Sequence, residues 1–496
     1  LDDDPWRTPV IVASAQHSER NEIVTPIGLT EFVAVEALGN APGISDHIDR
    51  VNVVGILFGG GEAPASLLAA RLHLDVSDCA TTTIGENTPQ WLVGRAADDI
   101  AAGRADAVLI AGTETVRSQG LGAMTPPDPG RDPDPVDGDA RPGVSLEEIA
   151  VGLELPAQVY PLFESVLAAR AGHTNDEQRR VLGEIMTRFS AVGAAHPHAW
   201  FAERLDAAAI AAPAPDNRIV AEPYTKRMNA FLGVDQGAAV VVTSLGRALE
   251  LGLGDQVVFV WSAADANEVW FPSQRPDLGR SEGIKEARTA VLDASGVDLD
   301  DISSFDLYSC FPSAVQLAAA ALGLDPLDGR GLTVTGGLPY YGGPGNNYTT
   351  HAIATMADEL REGATDRLGL VSGLGWFITK HSIGLYGASP PPRGYRRGNT
   401  SAAQSRIDAS AIPTLDSATG ECAVVEASTV IYDRGGPVTA APVIARVHDG
   451  RRIAARAASA ELPTPSGCSL VGATVRVDGR RPSHHVVELA LGNVSS

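Results

Sequence analysis

One stretch of this chain occurs twice at a constant separation, and that duplication limits the possible folds more than any other feature. Ala97-Asp98-Asp99-Ile100-Ala101-Ala102-Gly103 leads to Asp106 and the apolar run Val108 to Ala111. Ala357-Asp358-Glu359-Leu360-Arg361-Glu362-Gly363 leads to Asp366 and the run Leu368 to Val371. The offset is 260 residues at both aspartate pairs, 98 to 358 and 106 to 366. Each copy predicts an amphipathic helix that stops at a Gly and feeds a buried strand through a polar turn. A repeat this distant, seen once, is not a solenoid; it predicts a duplicated α/β half-domain.

The duplication extends to the start of each half. Val10 to Ala15 has a counterpart in Val257 to Ala263, and Val51 to Phe58 pairs with Phe305 to Phe311 as the second strand of each half. Strands alternating with helices of this length imply right-handed crossovers and a sheet covered on both faces. The expected fold class is α/β, a layered α/β/α/β/α body with its active site where the halves meet.

Between the halves, residues 117–234 read as an insertion: a loop dense in Pro, Asp and Gly (Pro126-Pro127-Asp128-Pro129-Gly130), then helical patterns over Glu147 to Arg170 and Glu177 to Ala195. Residues 5–116 are the first half-domain, and 235–387 hold its last strand and the second half. The Pro- and Arg-rich segment 388–400 reads as a linker. Beyond it, 401–496 alternates short strands with turns and shows no helix-length periodicity, which predicts a small β-barrel or sandwich.

Composition narrows the function. A net charge of −23 disfavours a nucleic-acid binder, because phosphate affinity rests on basic surface. Cys79, Cys310, Cys422 and Cys468 lie far apart with no CxxC pair, so neither a disulfide framework nor a metal cluster is expected. The acidic start and the absence of an apolar run near ~18 residues predict a cytoplasmic protein without a membrane span.

Several stretches, taken in order, carry a family resemblance: Gly59-Gly60-Gly61-Glu62-Ala63-Pro64, Asn87 through Glu114, Asp235-Gln236-Gly237-Ala238-Ala239, Asp306-Leu307-Tyr308-Ser309-Cys310-Phe311, and Tyr341-Gly342-Gly343-Pro344. Over roughly residues 8–387 the chain resembles the thiolase superfamily, and within it the sterol-carrier-protein-type thiolases and their thiolase-like relatives. The resemblance implies two half-domains of one topology, an inserted helical loop domain, and CoA thioesters as substrates or ligands of an acyltransferase-type protein, with no covalently bound cofactor. It also implies pairing of two copies through a strand beside the nucleophile helix, here Ala80 to Ile84.

The same resemblance places the catalytic positions on residues that differ from the thiolase pattern. The nucleophilic Cys maps to Glu86, the His of Gly-His-Pro to Gly343, and the second Cys to Val371; the element that binds the thioester oxygen reads Tyr308-Ser309-Cys310-Phe311. Covalent Claisen chemistry needs an ionisable thiol and an activating base, so ordinary thiolase activity is not expected. Cys310 and Cys79 read as small core residues. The candidates that remain are Tyr308, Glu86 and Tyr341 as catalytic groups and Asn87, Asn346, Asn347 and Gly343 as substrate-binding positions. Several have a plain structural alternative: Glu86 as a helix cap, Tyr308 as a core tyrosine, and Asn346 and Asn347, which follow Tyr340 and Tyr341 at a helix start, as caps.

Three functions stay open: a CoA-thioester-binding protein with altered or lost condensation chemistry, an aldolase-type lyase acting on β-hydroxyacyl-CoA through tyrosines, and a scaffold whose C-terminal β domain contacts a partner. The lyases of this superfamily use a separate OB-type partner subunit, a place the fused β domain could fill.

Overall fold

The computed structural model describes residues 4–126, 130–415, 418–457, 469–478 and 485–489. Cys468 and Pro127 to Pro129 lie outside them. In the first half, β1 (Pro9–Ser18), α1 (Pro26–Gly39), β2 (Ile48–Val53), α2 (Pro64–Arg71), β3 (Asp78–Thr82), α3 (Thr88–Ala102) and β4 (Ala107–Thr115) follow in order. The insertion contributes α4 (Val116–Gln119), β5 (Val136–Asp137), α5 (Leu146–Ala150), α6 (Pro156–Ala171), α7 (Asn175–Ala195), α8 (Ala207–Ala211), β6 (Ile219–Ala221) and β7 (Tyr224–Thr225). The chain then returns through β8 (Asp235–Ser244) and α9 (Leu245–Glu250). The second half runs β9 (Val258–Asn267), α10 (Glu282–Ser295), β10 (Ser304–Asp306), α11 (Pro312–Leu322), α12 (Tyr348–Glu362), β11 (Leu368–Gly375) and β12 (Lys380–Gly387).

The ten strands of the two halves and the insertion form one path, β10-β11-β12-β9-β1-β8-β4-β2-β3-β5. Its centre is the antiparallel β1/β9 contact, Val10 opposite Phe259 and Ile11 opposite Val258. On either side the order is the same in mirror sense, β1-β8-β4-β2 against β9-β12-β11-β10, so the duplication read in the sequence is a duplication of topology. Helices α3 and α12 touch each other and strands of both half-sheets, while α1 covers β1, β4 and β8 from outside and α10 covers β9 and β12. These are the five expected layers. Because the central strands are buried on both faces, β4, β8, β11 and β12 have no exposed residue, and β4, β8 and β11 carry apolar runs, Val108 to Ala111, Ala238 to Val242 and Leu368 to Val371, in place of a polar alternation.

Several local expectations need correction. The second strands end at Val53 and Asp306 rather than at Phe58 and Phe311. After Val53 the chain crosses close to β3, where a Cβ on Gly55 would lie 2.5 Å from the Thr82 carbonyl oxygen. After Asp306 the ladder is abandoned, since the Leu307 N–H bonds the Leu332 carbonyl and the Tyr308 N–H bonds Ser372 Oγ. Beside α3, β3 stops at Thr82, short of Ile84. The helix expected over Glu147 to Arg170 is two, α5 and α6, because Gly152 turns with φ +93° and Pro156 restarts the next helix at its first position. The two repeat helices do not stop alike: Gly103 is left-handed at φ +70°, whereas Gly363 is extended.

In the C-terminal region, β13 (Arg396–Arg397) lies parallel on β9 inside the segment read as a linker. A helix that the sequence reading missed, α13 (Ser401–Ala409), buries only Ala403 and Ile407, too short a stripe to signal a period. Then come β14 (Cys422–Ser428), β15 (Ile431–Tyr432), β16 (Val438–Ala440), β17 (Pro442–Val447), β18 (Arg452–Ala457), β19 (Thr474–Asp478) and β20 (His485–Leu489). Strands β14-β17-β18-β20-β19 close a barrel, filled by inward residues such as Val425, Val443, Ile453 and Val475. The barrel does not hang free. Strand β15 pairs with β6 of the insertion, and Arg452, buried at 2% exposure, donates to the Arg275 and Pro276 carbonyls while its Nε bonds Glu426 at 2.5 Å.

Candidate active site

The loop from β3 into α3 carries Gly85, Glu86 and Asn87, and it meets the second half at the end of β11 and the start of α12. Gly85 sits at φ +150°; its carbonyl accepts from Thr88 N at 3.0 Å and Thr88 Oγ1 at 2.7 Å, and its N–H donates to Asn346 Oδ1 at 2.9 Å. Helix α3 therefore begins two residues after Glu86, and the Glu86 carboxyl stands ahead of the helix's free N–H groups. Glu86 is partly exposed. Burial nevertheless pushes its pKa up to about 7, opposed by its own N–H, the Tyr308 phenol and the Lys380 ammonium.

Around Glu86 the second half and the insertion place Tyr308, Cys310, Tyr160 and Lys380. Tyr308 is 2% exposed and Cys310 5%; burial first, and the Glu86 charge after it, hold the Tyr308 phenol well above its ordinary range. The Cys310 thiol is likewise raised by burial, against the Tyr160 phenol beside it. Both groups are protonated at neutral pH, so Cys310 is not a ready thiolate. Tyr308 favours the ionised form of Glu86, yet its Oη makes no hydrogen bond of ordinary geometry among the described residues. Tyr160 Oη donates to the Trp376 carbonyl at 2.8 Å, within the β11–β12 turn, where Trp376 and Ile378 both have positive φ. Lys380 Nζ donates to the Ile84 carbonyl, and burial lowers its pKa to about 8, with Glu86 and Asp139 acting against the shift.

The other sequence candidates have different surroundings. Asn87 Nδ2 donates to Ser382 Oγ at 3.2 Å, and its Oδ1 has no partner among the described residues. Asn346 and Asn347 lie in the turn before α12 and make no helix-capping bond with their side chains; Asn346 Nδ2 reaches the Gly55 carbonyl and Asn347 Nδ2 the Gly112 carbonyl, each at 2.6 Å. They stitch the two halves together. The Gly343 N–H donates to the Phe231 carbonyl at 2.8 Å. Tyr341 Oη bonds Gln16 Oε1 at 2.9 Å and lies 2.7 Å from His351 Nδ1, in a second buried polar cluster. Packed rings join that cluster to the Glu86 group: Tyr341 packs on Tyr348 at 6.0 Å and Tyr348 on Tyr308 at 5.6 Å. Asp306 holds the ring stack in place, accepting from Tyr348 Oη, Thr333 Oγ1, Val334 N and both donors of Thr335.

Beside Gly343 a cleft of about 530 Å³ opens between the insertion and the second half. Phe231, Leu232, Pro339 and Tyr340 form its apolar wall, and Lys226 and Arg227 stand on its rim. The volume is ordinary for a small-molecule site. Sequence reasoning singled out neither this cleft nor Lys380 and Tyr160. Lysine was detectable, because only three of the 38 Lys and Arg residues are Lys; Tyr160 sits in the insertion with nothing local to distinguish it.

No family model matches the chain, and no curated protein matches it. Solved structures do. A monomeric SCP2-thiolase-like protein type 1 (STLP1) from Mycobacterium smegmatis is 30% identical over 98% of this chain and all of its own, with a TM-score of 0.85. An aldolase described as Ltp2-ChsH2(DUF35) superposes at 0.61 with 18% identity over 77% of this chain and 98% of its own. The Acat5 thiolase from Ascaris suum, solved with coenzyme A, does so at 0.56 with 18% identity, over 77% of this chain and 99% of its own.

Proposed function

The chain belongs to the SCP2-thiolase-like proteins of the thiolase superfamily, and from that premise we propose that it binds CoA thioesters and acts on them by proton transfer rather than through a cysteine nucleophile. The observation that carries this reading is the Glu86 carboxyl at the mouth of α3, raised to about 7 and ringed by Tyr308, Cys310 and Lys380. A carboxyl poised near neutral pH suits a general base, and a phenol without a partner suits a donor to a substrate oxygen. The cleft beside Gly343 supports CoA binding: its apolar wall fits a pantetheine arm, and its basic rim fits phosphates.

The pairing of Glu86 with Tyr308, whose Oη has no hydrogen-bond partner among the described residues, also favours a lyase reading: a base takes the proton of a β-hydroxyl, the Cα–Cβ bond breaks to give a carbonyl compound and a thioester enolate, and the proton returns to Cα of that enolate. The Ltp2-ChsH2(DUF35) aldolase, which shares the fold, lends that reading support by analogy alone. The barrel, bonded to the insertion, would then occupy the place of a partner subunit; a protein partner on its outer face is the remaining alternative.

Calorimetry with CoA and acetoacetyl-CoA tests binding, and a panel of β-ketoacyl- and β-hydroxyacyl-CoA esters tests turnover. Acetoacetyl-CoA thiolysis at ~1 s⁻¹ or faster, an ordinary enzymatic rate, would remove the proton-transfer reading. CoA affinity no tighter than millimolar, with no ester consumed, would leave a scaffold.

A further inference from the structure

Lysine is nearly absent from this chain. Of 38 Lys and Arg residues only Lys226, Lys285 and Lys380 are Lys, so a cation needed for solubility or ion pairing is almost always Arg. Lys226 is exposed on the rim of the cleft, and Lys285 is exposed and paired with Glu282 at 2.9 Å. Lys380 is the buried one, at 4% exposure, and it stands in a place that the fold opens for it. A Cβ on Gly85 would lie 2.7 Å from its Nζ, and a Cβ on Gly375 would lie 2.9 Å from its Cε. Two glycines, one at φ +150°, thus form a slot through which the side chain reaches the start of α3.

That position is costly for a cation: burial outweighs the attraction of Glu86 and Asp139. The N-terminal end of a helix repels positive charge, and a buried ammonium wants a carboxylate at contact distance. Lys380 forms no ion pair within 4 Å among the described residues, and its hydrogen bond goes to a backbone carbonyl, that of Ile84. Glu86 acts on it electrostatically from farther off. Asn87 Oδ1, more than nine-tenths buried and without a partner among the described residues, lies beside the same slot, 2.6 Å from the Gly85 Cβ position and 2.4 Å from that of Gly375. Arginine would supply charge here as it does elsewhere in the chain; what it cannot supply is a nucleophilic amine.

We propose that Lys380 captures carbonyls: its Nζ, delivered through the Gly85–Gly375 slot to the start of α3, forms an imine with a ketone or aldehyde group in the acyl chain of a CoA thioester. The inference rests on the CoA-thioester reading and names the substrate class within it. The amine adds to the carbonyl carbon, forming a C–N bond, and the resulting carbinolamine loses its oxygen as water, breaking the C–O bond. Both protons of that reaction leave the nitrogen, and Glu86, which ferries them to the departing oxygen, ends unchanged. Burial supports the step by lowering Lys380 to about 8, which leaves roughly a tenth of it as free amine near pH 7.

Reductive trapping tests this directly. The full chain is incubated with acetoacetyl-CoA and cyanoborohydride, digested and mapped, and CoA affinity is measured in parallel by calorimetry. The expected result is an adduct of the substrate's mass less one oxygen on the Lys380 peptide, at least tenfold above any on Lys226, Lys285 or the α-amine, and absent from Lys380→Arg. An adduct spread evenly over the three lysines, or no adduct in a protein that binds CoA, overturns the imine and leaves the CoA reading intact. Failure to bind CoA removes that reading as well, whereas a Lys380 adduct that forms with free acetoacetate and without CoA affinity keeps the amine and discards the thioester. Because the wild-type map alone locates the adduct, the test survives a Lys380→Arg variant that does not fold.

Discussion

Glu114 offers a sharp measurement of how the interior treats charge. It is the penultimate residue of β4, is 1% exposed, and accepts from the Leu57 N–H through Oε1; Oε2 has no partner among the described residues. Burial raises its pKa from 4.5 to about 8, against the N–H groups of Leu57 and Phe58. The unfolded chain therefore ionises this carboxyl first, so stability is lost as pH rises from about 4.5 to about 8, at about 1.4 kcal/mol per unit. At pH 7 the accumulated cost is ~3 kcal/mol. Glu114→Gln keeps the acceptor for Leu57 and cannot ionise; its new N–H₂ replaces a carboxyl O–H already without an acceptor, so little is added. With an unfolding entropy near ~1 kcal/mol per kelvin for a chain of this size, the variant should melt ~3 °C above wild type at pH 7 and within ~1 °C of it at pH 5. Scanning calorimetry at both pH values checks the difference. A variant that melts at or below wild type at pH 7, or whose gain is equal at both pH values, would show that the folded protein holds Glu114 ionised and would refute the reasoning.

Tyr308→Phe should preserve the melting temperature while lowering turnover of any ester the wild type consumes by ~100-fold; an unchanged rate would confine the phenol to the core. His196, depressed to about 4 by burial, and His198 and His351, also lowered, are neutral in the fold, so each contributes stability above the unfolded value near 6.5 that is lost as pH falls below it. His196→Asn should therefore lose less stability than wild type between pH 7 and pH 5, read as melting temperature, and a steeper loss would contradict this. The β3 edge is covered by the chain's own β5, with the Thr81 and Thr83 N–H groups donating to the Pro135 and Asp137 carbonyls. Light scattering should accordingly give a mass near 51.5 kDa, and a dimer cross-linked through Ile84 would contradict it.

The duplicated architecture was legible because its signals are local. A helix stop at Gly103, apolar runs such as Val108 to Ala111 and the recurrence of both 260 residues later follow from periodicity and turn chemistry within short windows. Which residues the resemblance sets at the thiolase catalytic positions, Glu86, Gly343 and Val371, was legible for the same reason, as an expectation drawn from neighbouring motifs. What those groups do was not. Asn346 and Asn347 look like caps in sequence, but the opposite half supplies the Gly55 and Gly112 carbonyls that claim their amides. Tyr341, adjacent to the right motif, is drawn into the Gln16 and His351 cluster, while Tyr160, from the insertion, arrives at Cys310. Lys380 meets Ile84 across 296 residues of chain, through a slot that exists only when Gly85 and Gly375 face each other. Periodicity records which face of an element is buried and is silent on what it is buried against. The partner across the interface decides whether a polar side chain is spent on the fold or left free, and only the packed halves supply that partner.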